Sequence, residues 1–376
     1  MLGKCGFGAR GRTALFLLAP VLVAACAGSG TQAGPAASPA SRQDSLSIAK
    51  DATALARAQK GRGEFDLADR TLHIALERAK ASGDRAALAE VEAGQTWLLA
   101  DRAFYESIDV DAAAKIIEEA MKVARESGNR AALATTIDGA AFFEYRDILF
   151  NGGSYTQVRG KFEEALSLYE ALGDLSGQAI ALFHIGLTYQ QDGKNAESRP
   201  YFLRSASAAE RADDPATLSF PVRHLGYLFA AEGNLDEALR YQRRCLFLRI
   251  RGGLTLNVPY AYIAVGEAEF AKGEFVRARV YYNDALEMGR EQHSDGATLD
   301  AHMSLGKVDE RENHKDIALR HYLEAITLAE KLKRNTDVKE ACDNLVRVYE
   351  QLGDRDKAKF YRQRSREADQ ALKSKG

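Results

Sequence analysis

Small and apolar positions return along the later half of this chain at a fixed interval. Gly186, Gly226, Gly266 and Gly306 are each forty residues apart, with Val346 next in the series. Three residues after each come Tyr189, Phe229, Glu269, Asp309 and Tyr349; seven after come Gly193, Gly233, Gly273, Asn313 and Gly353. Twelve after come Ser198, Ala238, Ala278, Ala318 and Ala358, and nineteen after come Ser205, Cys245, Ala285, Ala325 and Ser365. Apolar and small positions at helical spacing on either side of a turn residue predict two helices per unit, folded back as a hairpin. The small residues let the paired helices approach closely, and Phe202, Tyr282 and Tyr322 are placed to fill the space beside them.

The earlier half fits the same scheme with slippage. Ala56, Gly94 and Gly139 take the glycine place, and Trp97 and Phe142 take the aromatic place. The longer intervals there predict longer hairpins, and about eight units fit between Asp44 and Leu372. The stretches KASGDRAALA (80–89) and ESGNRAALA (126–134) are near copies that punctuate the array. Gly83, Gly128, Gly173 and Gly253 are expected to stop helices in the left-handed conformation, with Asp84, Asn129 and Asp174 capping the helices that follow. The closing run KFYRQRSREADQALKSKG is polar on faces that other units keep apolar, as a terminal unit with no further neighbour requires.

A glycine-x₂-aromatic step, a glycine turn and then alanine-x₃-aromatic resembles the tetratricopeptide repeat (TPR). The family's period is 34 rather than forty, and longer repeats of this kind occur in kinesin light chains and in sensor domains of some bacterial regulators. The resemblance implies an all-α fold, a TPR-type α-solenoid in which helical hairpins wind into a right-handed superhelix. It also implies a concave groove lined by positions two, five, nine and twelve of each first helix. Carried onto this sequence, those positions give Phe143, then Ile180, Phe183 and Leu187, then Phe220 and Tyr227, then Tyr260, Ile263 and Phe270. The last two units place Asp300, Met303, Lys307, Glu310, Glu340, Asp343, Arg347 and Glu350 there, so the groove is expected to be aromatic in its middle and charged towards its C-terminal end. His184 and His224 occupy equivalent places on successive first helices and are expected to stack on the groove surface. Phe183 and Leu187 stand where chaperone-type TPR domains carry a Lys/Asn carboxylate clamp, so acidic chaperone tails are not the implied partner.

The N-terminus adds an address. Residues 1–25 hold Lys4, Arg10 and Arg12, no acid, and an apolar run from Thr13 to Ala25. That run is short of the ~20 residues a membrane-spanning helix needs, so it is read as a secretory signal. Its end, Val23-Ala24-Ala25-Cys26, resembles the lipobox of bacterial lipoproteins, which implies acylation of Cys26 and cleavage before it. Ala27 in place of aspartate implies the outer membrane, facing the periplasm. Residues 26–43 then read as the lipidated cysteine and a flexible linker, and 44–376 as the solenoid. Gly6-Phe7-Gly8-Ala9-Arg10-Gly11 fits a dinucleotide fingerprint by letter only, since no strand precedes it.

Composition changes this picture little. A formal net charge of −2 gives no reason to expect nucleic acid as a partner. Cys245 and Cys342, nearly a hundred residues apart in a nearest-neighbour array, are expected to be buried and unbridged. Arg240, Arg243, Arg244, Arg249 and Arg251 form a basic helix expected on the convex outside. The usual catalytic and metal-binding motifs are missing, so no cofactor, metal or enzymatic activity is expected. The leading expectation is a lipid-anchored envelope scaffold that binds a partner protein segment in its groove. The alternative is a periplasmic peptide or small-molecule sensor using the same groove.

Overall fold

A computed structural model describes residues 39–106 and 108–374. The signal, Cys26 and most of the linker lie outside the described residues. Sixteen α-helices follow one another with no strand among the described residues. They pair as eight hairpins: α1 (Pro39–Gly61) with α2 (Phe65–Ser82), α3 (Arg85–Tyr105) with α4 (Val110–Glu126), α5 (Arg130–Asn151) with α6 (Thr156–Leu172), and α7 (Leu175–Gln191) with α8 (Asn195–Arg211). Then come α9 (Pro215–Ala231) with α10 (Leu235–Arg251), α11 (Val258–Ala271) with α12 (Phe275–Glu291), α13 (Asp295–Arg311) with α14 (Lys315–Lys331), and α15 (Asn335–Leu352) with α16 (Arg355–Lys373). Helix α1 begins at Pro39, inside the stretch read as linker. Proline's fixed φ and missing N–H suit a first helical position, which lets the helix start earlier than its apolar pattern does.

The forty-residue interval has a direct structural cause. A Cβ on Gly186 would sit 2.6 Å from the Phe202 ring, one on Gly266 2.5 Å from Tyr282, and one on Gly306 2.5 Å from Tyr322. Glycine on the first helix is therefore the seat for the aromatic of the second. In the unit where Gln242 replaces the aromatic, its amide lies against Gly226 and donates to the Arg223 carbonyl at 3.0 Å. The predicted punctuation is also in place. Gly83, Gly128, Gly173 and Gly253 have φ of 66°, 74°, 68° and 70°, and Asp84, Asn129 and Asp174 accept backbone N–H bonds from the first turns of α3, α5 and α7. Cys245 and Cys342 are buried and free.

The solenoid also closes on itself, which the repeat alone does not announce. Leu254 and Leu256 lie against Gly61 and Gly63. Asn257 Nδ2 donates to the Tyr105 hydroxyl at 2.7 Å, and the Tyr105 and Tyr260 rings are 5.8 Å apart. Asn335 Nδ2 donates to Asn151 Oδ1 at 3.1 Å, and Arg146 reaches the Leu332 carbonyl. Arg334, only 3% exposed, donates to the Phe104 carbonyl and lies over the Phe150 ring at 4.1 Å. This seam joins the first three hairpins to the last four.

Candidate partner-binding channel

The closure decides what the inner face offers. Phe143, Phe183, His184, Leu187 and Tyr260, expected to line an open groove, are buried, whereas Phe220, His224, Tyr227 and Phe270 are half-buried. The positions are inner-face positions, but tight winding brings successive inner faces together, so large rings there pack along the superhelix instead of facing water. Phe183 lies 5.4 Å from Phe220 and 6.0 Å from Phe202. It also stands between the two inner histidines, 5.5 Å from the His184 ring and 5.3 Å from His224.

His184 is therefore a core residue and not groove lining. Its Nδ1 meets Asp138 Oδ1 at 2.9 Å, and its ring is enclosed by Trp97, Phe142 and Phe162. His224 instead bonds Gln190 Oε1 through Nδ1. Burial, with Arg223 and Arg249 nearby, holds its imidazole well below the usual range and so neutral at pH 7.

The remaining inner surface is polar, and it is built by four consecutive first helices, α9, α11, α13 and α15. Arg223 and Tyr227 stand one turn apart on α9; Arg223 Nε donates to the Tyr227 hydroxyl at 3.1 Å and the guanidinium lies over that ring. Glu267 on α11 is open to solvent, yet protein surrounds it closely enough that burial raises its carboxyl pKa, against the opposing pull of Arg223 and Lys307. Glu267 thus stands on the inner face with the charges of α9 and α13 within reach. On α13 and α15, Lys307 pairs with Glu340 at 2.8 Å, and Arg347 pairs with Glu310, which also accepts from the Tyr322 hydroxyl at 3.1 Å. Burial pulls the Lys307 ammonium down, but Glu340, Glu267 and Asp300 outweigh it and keep it charged. The charged C-terminal end expected from sequence is present in Lys307, Glu310, Glu340 and Arg347, whereas the expected aromatic middle is largely packed away and Arg223 and Glu267 carry charge into it.

Arg223 falls at position five of its helix and Glu267 at position nine, the places that give Phe183 one repeat earlier and Leu187 two repeats earlier. The spacing that marks the inner face therefore marks these two charges as well. Arg249 departs from the expected convex basic helix. It is 1% exposed, donates to the Asn257 carbonyl at 2.6 Å, and faces inward beneath Phe220. Arg240, Arg243 and Arg244 do lie on the outer surface, paired with Glu237, Glu269 and Glu210.

Burial, with Asp337 beside it, pushes the Asp300 carboxyl up to about 7. An unfolded aspartate titrates near ~3.9. Between those values the folded chain holds a proton that the unfolded chain has lost, so this group makes stability fall as pH rises from about 4 to about 7. Asp300→Asn should therefore raise the melting temperature at pH 8 and leave it nearly unchanged at pH 4.5. An equal shift at both pH values would contradict this.

Among curated proteins, none matches this sequence. Residues 339–370 match the tetratricopeptide repeat family. Solved structures share the architecture at low identity. A Rap protein complexed with competence and sporulation factor aligns over 89% of this chain and 100% of its own, at 13% identity and a TM-score of 0.63. The apo quorum sensor NprR from B. thuringiensis aligns over 86% of each chain, at 12% identity and a TM-score of 0.58. Aspartyl phosphate phosphatase F from Bacillus subtilis aligns over 80% of this chain and 75% of its own, at 12% identity and a TM-score of 0.55. The chain carries a tetratricopeptide repeat at its C-terminal end and folds, from α1 to α16, as a TPR-type α-solenoid.

Proposed function

We propose that this chain is a lipid-anchored scaffold of the bacterial cell envelope that holds an extended segment of a partner protein in its inner channel. The observation that carries the reading is the strip of charge on α9, α11, α13 and α15. Arg223 and Lys307 flank the acidic Glu267 and Asp300 on it, close enough for each to act on the others. A peptide backbone and its charged side chains can satisfy such a wall, and an enclosed site strengthens each contact relative to bulk water. The anchor rests on the sequence around Cys26.

The second reading, a peptide-responsive sensor, is favoured by the seam. A ligand that wedges between the wall and the closing contacts of Arg334 and Tyr105 would change the superhelical pitch and thereby pass a signal on. It is in keeping with likeness to a structure described as a quorum sensor.

One co-purification from native envelopes tests anchor and channel together. Cys26→Ser should move the protein from the membrane fraction to the soluble fraction. Arg223→Glu should leave it on the membrane and correctly folded by circular dichroism, but without its crosslinked partner. Membrane attachment that survives Cys26→Ser, or partner recovery that survives Arg223→Glu, would refute the corresponding half.

A further inference from the structure

The turn that joins α13 to α14 gathers three groups of a kind that ligate metals. Asp309 lies in the last turn of α13, Glu312 caps that helix, and His314 caps the next. Asn313 between them takes a φ of 63°, which folds the chain tightly enough to bring the flanking side chains together. One ligand atom from each of Asp309, Glu312 and His314 lies within 4.8 Å of the others. His314 Nδ1 is 3.6 Å from Glu312 Oε2 and 3.9 Å from Asp309 Oδ1. In a tetrahedral site with bonds of about 2.0–2.1 Å, ligand atoms stand roughly 3.3 Å apart, so small side-chain rotations close the set.

A second observation comes from beneath the turn. Asp309 is fully buried, and its Oδ2 has no hydrogen-bond partner. His321 Nε2 is 3.5 Å from it, and His321 Nδ1 lies 2.8 Å from His302 Nδ1. Arg290 can only donate, and it approaches His302 Nε2 at 3.4 Å. His302 therefore carries its proton on Nδ1 and donates it to His321, whose own proton sits on Nε2, facing Asp309 Oδ2. That is the arrangement by which an outer imidazole orients a ligating carboxylate and leaves its other oxygen to the metal.

We propose that Asp309, Glu312 and His314 form a binding site for a divalent transition-metal ion, with His321 and His302 as the supporting pair. One imidazole with two carboxylates selects ions of the Zn²⁺, Mn²⁺ or Fe²⁺ kind over Mg²⁺ and Ca²⁺, which take oxygen alone. The site's charge balance is already visible. Arg279, from α12, donates through one nitrogen both to Asp309 Oδ1, at 2.8 Å, and to Glu312 Oε2. These are the atoms the ion would take, so the guanidinium stands as the resident cation and the ion displaces it. Its side chain, 29% exposed, has solvent to swing into. The ion would thus exchange one tie between α12 and the α13–α14 turn for another within the turn.

The test titrates the full-length chain with Zn²⁺ against a chromophoric chelator, and with Co²⁺ to read ligand-field absorption. The wild type should bind one ion per chain. His314→Ala, at an exposed position, should weaken binding at least tenfold, and Arg279→Gln should tighten it about tenfold by removing the competitor. His73→Ala, exposed on α2, should change nothing. Wild-type binding no tighter than that of His314→Ala would overturn the site, as would a His73→Ala variant that loses the ion. If Arg279→Gln proves unstable by circular dichroism, the comparison of wild type with His314→Ala decides alone.

Discussion

Arg334→Ala is expected to open the superhelix and to cost about 3 kcal/mol, the scale of removing one partner from a buried charged contact. Its guanidinium is nearly inaccessible, and it serves three partners at once. It donates to the Phe104 carbonyl, covers the Phe150 ring, and faces Asp337 at 3.6 Å. Alanine leaves the carbonyl unpaired, uncovers the Phe150 ring and strands a carboxylate that burial already pushes upward in pKa. Lysine should rescue little, because an ammonium cannot stack flat on Phe150 while donating to Phe104. Urea denaturation would report the loss, and small-angle scattering would report a larger radius of gyration. An unchanged radius with full stability would mean that the seam does not hold the channel shut.

Phe202→Ala should cost more, about 3–5 kcal/mol. The ring is fully buried and occupies the seat that Gly186 leaves for it. The reciprocal change is also unfavourable: in Gly186→Ala the new methyl collides with the ring, at a cost of about 1–3 kcal/mol. Because the two side chains share one space, Gly186→Ala combined with Phe202→Leu should recover part of the sum, a coupling that a double-mutant cycle measures. Hydrogen exchange should show the loss concentrated in α7 and α8, since units of a solenoid depend most on their neighbours. Strictly additive costs, or exchange raised evenly from α1 to α16, would contradict the seat-and-ring account.

These two sites mark the boundary of what the sequence makes legible. The contact of Gly186 with Phe202 repeats every forty residues and involves neighbours in the chain, so periodicity alone exposes it. Helix stops at Gly83 and caps at Asp84 are equally local. Arg334 and Phe104 are 230 residues apart, and nothing in either residue's own repeat says that they meet. Their contact depends on the summed rotation of several hairpins. That same rotation converted Phe183 and His184 from expected groove lining into packing: their helical face was legible, but the exposure of that face was not. Arg249 shows the limit from another side. Its neighbours on α10 turn outward as a basic helix should, and it alone turns inward because the 3₁₀ turn ahead of α11 offers it a carbonyl at Asn257. Arg223 and Glu267 occupy inner-face positions of their repeats, so their placement is as local, and as legible, as that of the aromatics beside them.

Site-specific photocrosslinking in the native cell tests the central claim most directly. A photoreactive residue at Tyr227, in the channel, is compared with one at Phe247, which is 61% exposed on the second helix of the same repeat. Position 227 should capture a discrete partner whose yield collapses in the Arg223→Glu background, while position 247 captures none. Capture at 247 with none at 227 would place recognition on the outer surface and contradict a binding channel.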